Sequence, residues 1–130
     1  MNPPREIKQL VTVLIVDNHA NARTTLKKAL SLDKRVTVVG EAVDGTDAIA
    51  KASELAPDVV LMDVKMPEMS GIEATRHIKK HNPEIKVIMF SAYDEKSLIE
   101  EALKSGASNY FLKNDPVEEV VEVVLFGFLD

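Results

Sequence analysis

An α/β fold with a parallel sheet between layers of crossover helices is predicted by three features of this chain. Short β-branched runs and amphipathic stretches alternate five times, helix-start residues precede the amphipathic stretches, and 130 residues suit one domain. A chain of this length buries roughly two-thirds of the surface that its unfolded form exposes, so a conventional core suffices without disulfide or structural metal. The expected division is a loose N-terminal tail over 1–9 and a single domain over 10–130.

The first strand is Val11–Val16, an uninterrupted run of β-branched and aliphatic residues fit for burial on both faces of a sheet. After it, Ala22, Leu26, Ala29 and Leu30 fall on one side of a helix. Val36–Val39 is the second strand and Val59–Met62 the third. Ser70 followed by Glu73 is a capping box, because the hydroxyl can accept from a first-turn N–H that has no partner within the helix. Val87–Phe90 is the fourth strand, and Leu98 with Ala102 and Ile99 with Leu103 give the next helix its apolar side. That helix should stop at Gly106. Asn109–Leu112 is the fifth strand, and Asp115 before Pro116, with Glu118 three residues after the cap, marks the start of the last helix. Val117, Val120, Val121, Val124, Leu125 and Phe128 form one stripe on it, while Val123 and Phe126 fall on the other side. Apolar surface there is expected either to meet another subunit or domain or to belong to a frayed end.

Composition excludes several classes of function. There is no cysteine, hence no thiol nucleophile, thiolate zinc site or disulfide scaffold. A net charge of −5 argues against nucleic-acid binding by the domain itself, since phosphate contacts need a positive face. No apolar stretch approaches a membrane span, and Met1–Glu6 holds no signal-peptide core. The expectation is a soluble cytoplasmic protein whose partners are proteins or metal-held anions.

Right-handed crossovers bring the C-terminal ends of the strands to one edge, where open α/β sheets bind ligands. That edge should collect Asp17 and Asn18, Asp63, Ser91, and Lys113 from four separate segments. Two carboxylates and an amide supply hard oxygen ligands for Mg²⁺, a hydroxyl can donate to an anion, and an ammonium can neutralise one. Such a set handles a phosphoryl group, whose transfer depends mainly on positioning and charge stabilisation. Singly, each residue also has a duller role, as a turn residue, a helix cap or a surface lysine.

With VLIVDN, LMDVKMPEMSG, MFSA and YFLK in order and fittingly spaced, the chain from about Val11 to the end of the last helix resembles the receiver domain of bacterial two-component response regulators. The resemblance implies a flavodoxin-like doubly wound (βα)5 sandwich with strand order 2-1-3-4-5. It implies that Asp63 accepts a phosphoryl group from a histidine kinase or phosphotransfer protein. By the same likeness Asp17, the position of Asn18, Asp63 and the backbone carbonyl of Lys65 hold Mg²⁺. Ser91 and Lys113 match the residues that hold phosphoryl oxygens. Tyr110 matches the aromatic that turns inward as Ser91 is drawn to the phosphate, altering the face of the fourth helix, fifth strand and fifth helix that an output domain or downstream protein reads. A homodimer is compatible with such a switch. The domain would catalyse only its own phosphorylation and dephosphorylation.

Two departures from the family pattern stand out. Asn18 replaces the usual second acid, which removes one charge from the metal site. Lys113 is followed by Asn114 rather than proline, so a trans bond is expected. Branches with a similar LKND-like stretch carry a C-terminal helix-turn-helix, a pointer to a DNA-binding output. Lys65 and Tyr93, each two residues past a site residue, flank the water path to the phosphoryl group in the family, and their bulk is expected to slow hydrolysis or else to face solvent. His77 and His81 are read as part of a solvated basic face, His19 as peripheral, and Met62, Met66, Met69 and Met89 as packing. A pseudo-receiver, no longer phosphorylated because of Asn18, is the main alternative. A haloacid-dehalogenase-type phosphohydrolase fits less well, since His19 stands where its second Asp belongs, and no G-x-G-x-x-G follows the first strand for a dinucleotide.

Overall fold

The computed structural model describes residues 10–126, so the tail over 1–9 and Phe128 lie outside the described residues. Five parallel strands, β1 (Val11–Val16), β2 (Val36–Ala42), β3 (Val59–Met62), β4 (Lys86–Ser91) and β5 (Asn109–Leu112), stand in the order β2-β1-β3-β4-β5. They alternate with α1 (Ala20–Leu30), α2 (Gly45–Leu55), α3 (Gly71–His81), α4 (Lys96–Lys104) and α5 (Val117–Phe126). This is the flavodoxin-like order, and the point where the strand order reverses lies between β1 and β3.

The sheet divides the core into two layers because alternate strand residues point to opposite faces. Leu14, Val16, Val60, Met62, Val87 and Met89 pack under α2, α3 and α4. Val13, Ile15, Val59, Leu61 and Ile88 pack under α1 and α5, against Leu26, Leu30, Val120 and Val124. Fully burying one such aliphatic side chain contributes about 1.5–3 kcal/mol, so the two layers together hold the sheet edge rigid.

Some boundaries differ from the expected ones for identifiable reasons. β2 runs on to Ala42, because a bulge at Val39 lets Leu14 pair with Gly40 after Val13 has paired with Val38. A Cβ at Gly40 would lie 2.7 Å from Leu55 Cδ1, so the bulged backbone is tucked against α2. Ser91 is the last residue of β4 rather than the first of the loop, paired with Leu112. Asp115 does not cap α5: its carboxylate accepts from the Leu112 N–H at 2.8 Å, closing the turn after β5, and the helix begins one residue beyond Pro116. Ser70 does cap α3, accepting from the Glu73 N–H at 3.1 Å. Gly106, at φ +116°, ends α4 in a conformation that L side chains avoid.

Two apolar faces depart from their expected depth. On α4 only Ala102 is buried, Leu98 is half-buried and Leu103 is exposed, so this helix is the most loosely seated of the five. On α5, Val123 packs against the α1/α5 core layer rather than standing opposite it, whereas Phe126 is 78% exposed.

Candidate functional site

Asp63 follows β3 at the sheet's C-terminal edge, and its N–H donates to Val16 O at 2.9 Å, which locks the start of its loop to β1. The chain after it doubles back tightly. Gly71 N–H donates to Val64 O at 2.7 Å, and a Cβ on Gly71 would sit 1.9 Å from the Asp63 carbonyl oxygen. Only glycine allows α3 to start so close to the Asp63 backbone. Sequence reasoning took Ser70–Gly71 as a helix start; the closeness to Asp63 comes from the fold.

Asp17 and Asp63 are each about 5% exposed, and Lys113 joins them. Its Nζ lies 2.6 Å from Asp17 Oδ2 and 3.4 Å from Asp63 Oδ2. The ammonium therefore engages Asp17 more closely than Asp63. Asp17 is further held by the His19 N–H, which donates to Oδ1 at 2.9 Å, and by His19 Nδ1 at 3.2 Å from the same oxygen. Arg23, a residue that sequence reasoning missed, donates to the Asp17 carbonyl at 2.7 Å and to Glu41 Oε1 at 3.1 Å. No local spacing links Arg23 to Glu41; β2 brings the acid to α1.

The charges of the three groups answer one another. For Asp17, burial works to raise the pKa, but the hydrogen bonds from Lys113 and His19 outweigh it and hold the carboxyl below its usual range. Asp63 goes the other way: burial, then the neighbouring Asp17 charge, push it up, with Lys113 offsetting only part. Burial works to lower Lys113, yet the hydrogen bond it donates to Asp17 and the charge of Asp63 hold it above its usual value. Two acidic side chains thus share one ammonium in the cup, a formal deficit of positive charge.

That deficit suits a divalent cation. Asp17, His19 and Asp63 each present a ligand atom within 4.8 Å of the others, and Asn18, between the first two in the chain, has its Oδ1 buried without a hydrogen-bond partner. A buried carbonyl oxygen without a donor is costly unless something electropositive meets it. The donor set, dominated by oxygen, fits Mg²⁺. His77 and His81 are exposed on α3 and stand outside this group.

A second cluster lies one strand over. Ser91 is fully buried, its carbonyl accepting from the Lys113 N–H at 2.8 Å and its hydroxyl from the Tyr93 N–H at 3.1 Å. Tyr110 is half-buried against the α2–α4 core layer, and its hydroxyl donates to the Tyr93 carbonyl. Burial raises the Tyr110 pKa, with Ser91 opposing and the acids Glu95, Asp63 and Asp94 adding to the rise. Lys65 Nζ stands 3.8 Å from the centroid of the Tyr93 ring. The loop after Asp63 and the loop after Ser91 are thereby joined by a cation–π contact. Sequence reasoning placed Lys65 and Tyr93 beside the site separately; their stacking on each other belongs to the structure. No peptide bond among the described residues is cis, including the one after Lys113.

The model of the family described as "Response regulator receiver domain" matches residues 13–125. The chain belongs to that family. Among curated proteins, this receiver domain is 42% identical over 114 residues to the response regulator protein VraR of Staphylococcus saprophyticus, and 41% to VraR of Staphylococcus aureus. Each alignment covers 88% of this chain and 54% of the relative, so the chain spans about half the length of those relatives. Among solved structures, the signal receiver domain of the putative response regulator NarL from Mycobacterium tuberculosis superposes with a TM-score of 0.87 at 35% identity, covering 92% of this chain and 96% of that one. The CheX–CheY–BeF3–Mg complex of Borrelia burgdorferi matches with a TM-score of 0.83 at 27% identity, covering 92% and 90%. A LuxR-family DNA-binding response regulator of Staphylococcus aureus matches with a TM-score of 0.83 at 28% identity over 88% of this chain and 96% of that one. The receiver domain is thus part of two-component signalling, and among its described residues no helix is long and apolar enough to cross a membrane.

Proposed function

We propose that this receiver domain is a cytoplasmic phosphoacceptor switch, phosphorylated on Asp63 by a histidine kinase or phosphotransfer protein with Mg²⁺. The observation that carries the reading is the pairing of a buried, electrostatically destabilised Asp63 with Asp17 and a shared Lys113. An Asp63 carboxylate oxygen attacks the phosphorus of the donor's phosphohistidine; the P–N bond breaks, its electron pair leaves with the imidazole, and an acyl phosphate forms. Lys113 faces the charge that develops on the phosphoryl oxygens. Bound at Asp17, Asn18, Asp63 and the Lys65 carbonyl, Mg²⁺ would supply Lewis-acid neutralisation of that charge. Hydrolysis returns the carboxylate and inorganic phosphate, so the domain acts on itself alone.

The readout follows from the second cluster. A dianion on Asp63 gives the Ser91 O–H an acceptor, and movement of the hydroxyl toward it draws the oxygen away from the Tyr93 N–H that it now accepts from. Tyr110, tied to the Tyr93 carbonyl, then changes its packing against the shallowly seated α4. The α4–β5–α5 face carries that change to an output domain or downstream protein. The likeness to VraR and to the LuxR-family regulator supports a DNA-binding, transcription-regulating output. The domain itself, at −5, does not bind nucleic acid.

Incubation with Mg²⁺ and acetyl phosphate, followed by intact mass measurement, tests this. One added phosphoryl group, absent in Asp63→Asn, is the expected result. No adduct at saturating Mg²⁺ would mean a pseudo-receiver that works through its surface alone.

A further inference from the structure

The bulge in β2 turns Glu41 toward α1. Paired strand residues present their side chains to the same face, so Glu41 shares the face of its partner Ile15, which packs in the α1/α5 layer. Without the extra residue at Val39, Gly40 would stand opposite Ile15 and the Glu41 side chain would project to the α2 face instead. On the α1 side Glu41 meets Arg23, whose Nε donates to Glu41 Oε1 at 3.1 Å while Nη1 donates to the Asp17 carbonyl at 2.7 Å. The Arg23 side chain is 15% exposed and that of Glu41 34%, so their ion pair is better shielded than the one that Lys27, 52% exposed, makes with the other Glu41 oxygen at 3.7 Å.

We infer that Arg23, anchored by Glu41, is a positioning residue for the Mg²⁺ ligands: it fixes the peptide between Asp17 and Asn18 and so the aim of both side chains. That peptide is a rigid plane, so a donor held on its carbonyl also sets where the Asn18 Cα lies and, with it, the direction of the unpartnered Oδ1. A planar guanidinium suits the task, since two acceptors on one fork fix its orientation as they could not fix an ammonium. Little else secures this turn from α1, because the N-cap, His19, makes no side-chain cap hydrogen bond. From the sheet, the Asp17 N–H donates to Ala42 O at 3.1 Å, so β2 holds the turn both directly and, through Glu41, by way of Arg23. This role presupposes the reading of Asp17, Asn18 and Asp63 as a Mg²⁺ site that serves phosphorylation. The sign of the effect separates aim from charge. Removing a cation near two carboxylates would by Coulomb attraction alone tighten a divalent ion, whereas loss of ligand aim loosens it.

Isothermal titration of the unphosphorylated chain with Mg²⁺ tests this, with circular dichroism and melting in chelator as checks on folding. Arg23→Ala should weaken binding about tenfold. Arg23→Lys, which keeps the charge on a single donor centre, should weaken it in the same direction, and it decides the matter if the alanine variant does not fold. Lys27→Ala, which removes an exposed charge from the same acid, should stay within about twofold of the parent. Glu41→Gln should loosen Mg²⁺ in the parent and add nothing to Arg23→Ala, because the acid acts through the arginine. In acetyl-phosphate labelling, Arg23→Ala should raise the half-saturating Mg²⁺ concentration and leave the rate at saturating Mg²⁺ little changed; a fold that is simply destabilised would lose rate at every Mg²⁺ concentration. Unchanged or tighter Mg²⁺ binding in the Arg23 variants would overturn the inference, as would additive losses from Arg23→Ala and Glu41→Gln or a parent that binds no Mg²⁺. A parent that binds Mg²⁺ yet takes no phosphoryl group would sink the phosphoacceptor reading alone, because the titration needs no labelling.

Discussion

Asn18→Asp is the sharpest probe of the metal cup. The amide oxygen of Asn18, the residue after Asp17, is buried without a partner, and Asp17 and Asp63 share one ammonium. Converting it to a carboxylate adds a negative charge at a position where no donor waits to neutralise it. Two unit charges about 4 Å apart interact by about 4 kcal/mol at an effective dielectric near 20, and a divalent ion feels each carboxylate more strongly still. Against this stand the repulsion among three acids, the closeness of Lys113 to Asp17, and relaxation of the new side chain. A net gain of about 1.4 kcal/mol, a tenfold tighter Mg²⁺ dissociation constant, is a conservative expectation. Without metal the sign reverses, because the extra acid sees only like charge beyond Lys113. Isothermal titration of Mg²⁺ at fixed ionic strength, paired with thermal melts in chelator and in Mg²⁺, measures both halves. The variant should melt lower than the parent in chelator, and the gap should narrow or invert in Mg²⁺. Acetyl-phosphate labelling should be faster in the variant at low Mg²⁺. Equal Mg²⁺ affinity in the two proteins would refute the account of the site.

Other consequences follow from the same geometry. Because burial and Asp17 raise the Asp63 pKa, the fold is more stable with Asp63 neutral; that stability is present below the ordinary aspartate range and lost as pH rises through the folded value. Asp63→Asn should therefore melt higher than the parent at neutral pH in chelator, with the difference shrinking as pH falls below about 4. Lys113→Ala leaves two buried carboxylates without their shared cation and should abolish labelling by acetyl phosphate while lowering the melting temperature; labelling at the parental rate would remove Lys113 from the chemistry. Gly71→Ala drives a methyl into the Asp63 carbonyl, 1.9 Å from the ideal Cβ position, and should cost about 2 kcal/mol or more in denaturant unfolding besides displacing the site loop. Lys65→Ala breaks the contact with Tyr93, worth about 0.5–1 kcal/mol at an exposed site, and should shorten the phosphorylated lifetime roughly two- to fivefold; an unchanged lifetime would show that the pair merely decorates the surface.

Hydrophobic pattern was enough to read the architecture. Strands buried on both faces must be continuous β-branched runs, and Val11–Val16 and Val59–Met62 are that; amphipathic stretches between parallel strands must cross over in one hand. With the handedness settled, the edge that gathers Asp17, Asp63, Ser91 and Lys113 follows from chain order alone, and the structure brings all four to it. Patterning fell short where a residue has more than one eligible partner. Asp115 can serve a helix N-terminus or a turn N–H equally well by sequence, and only the packing of the β5–α5 connection directs it to Leu112. Ile99 and Leu103 share a helical side, yet the depth at which α4 sits leaves Leu103 in water.

Residue identity by itself determined the kind of fold, the edge where ligands meet it and the chemical types on offer there, because these depend on periodicities and handedness that every short segment carries. Tertiary structure alone decided how the charges divide. Lys113 turns to Asp17 more closely than to Asp63, Arg23 clamps the Asp17 backbone from α1, Asn18 buries its oxygen with no donor, and Lys65 stacks on Tyr93. These arrangements join residues far apart in the chain through distances of a few ångströms. Electrostatic and hydrogen-bond energies change steeply over such distances, while the order of residues leaves them open.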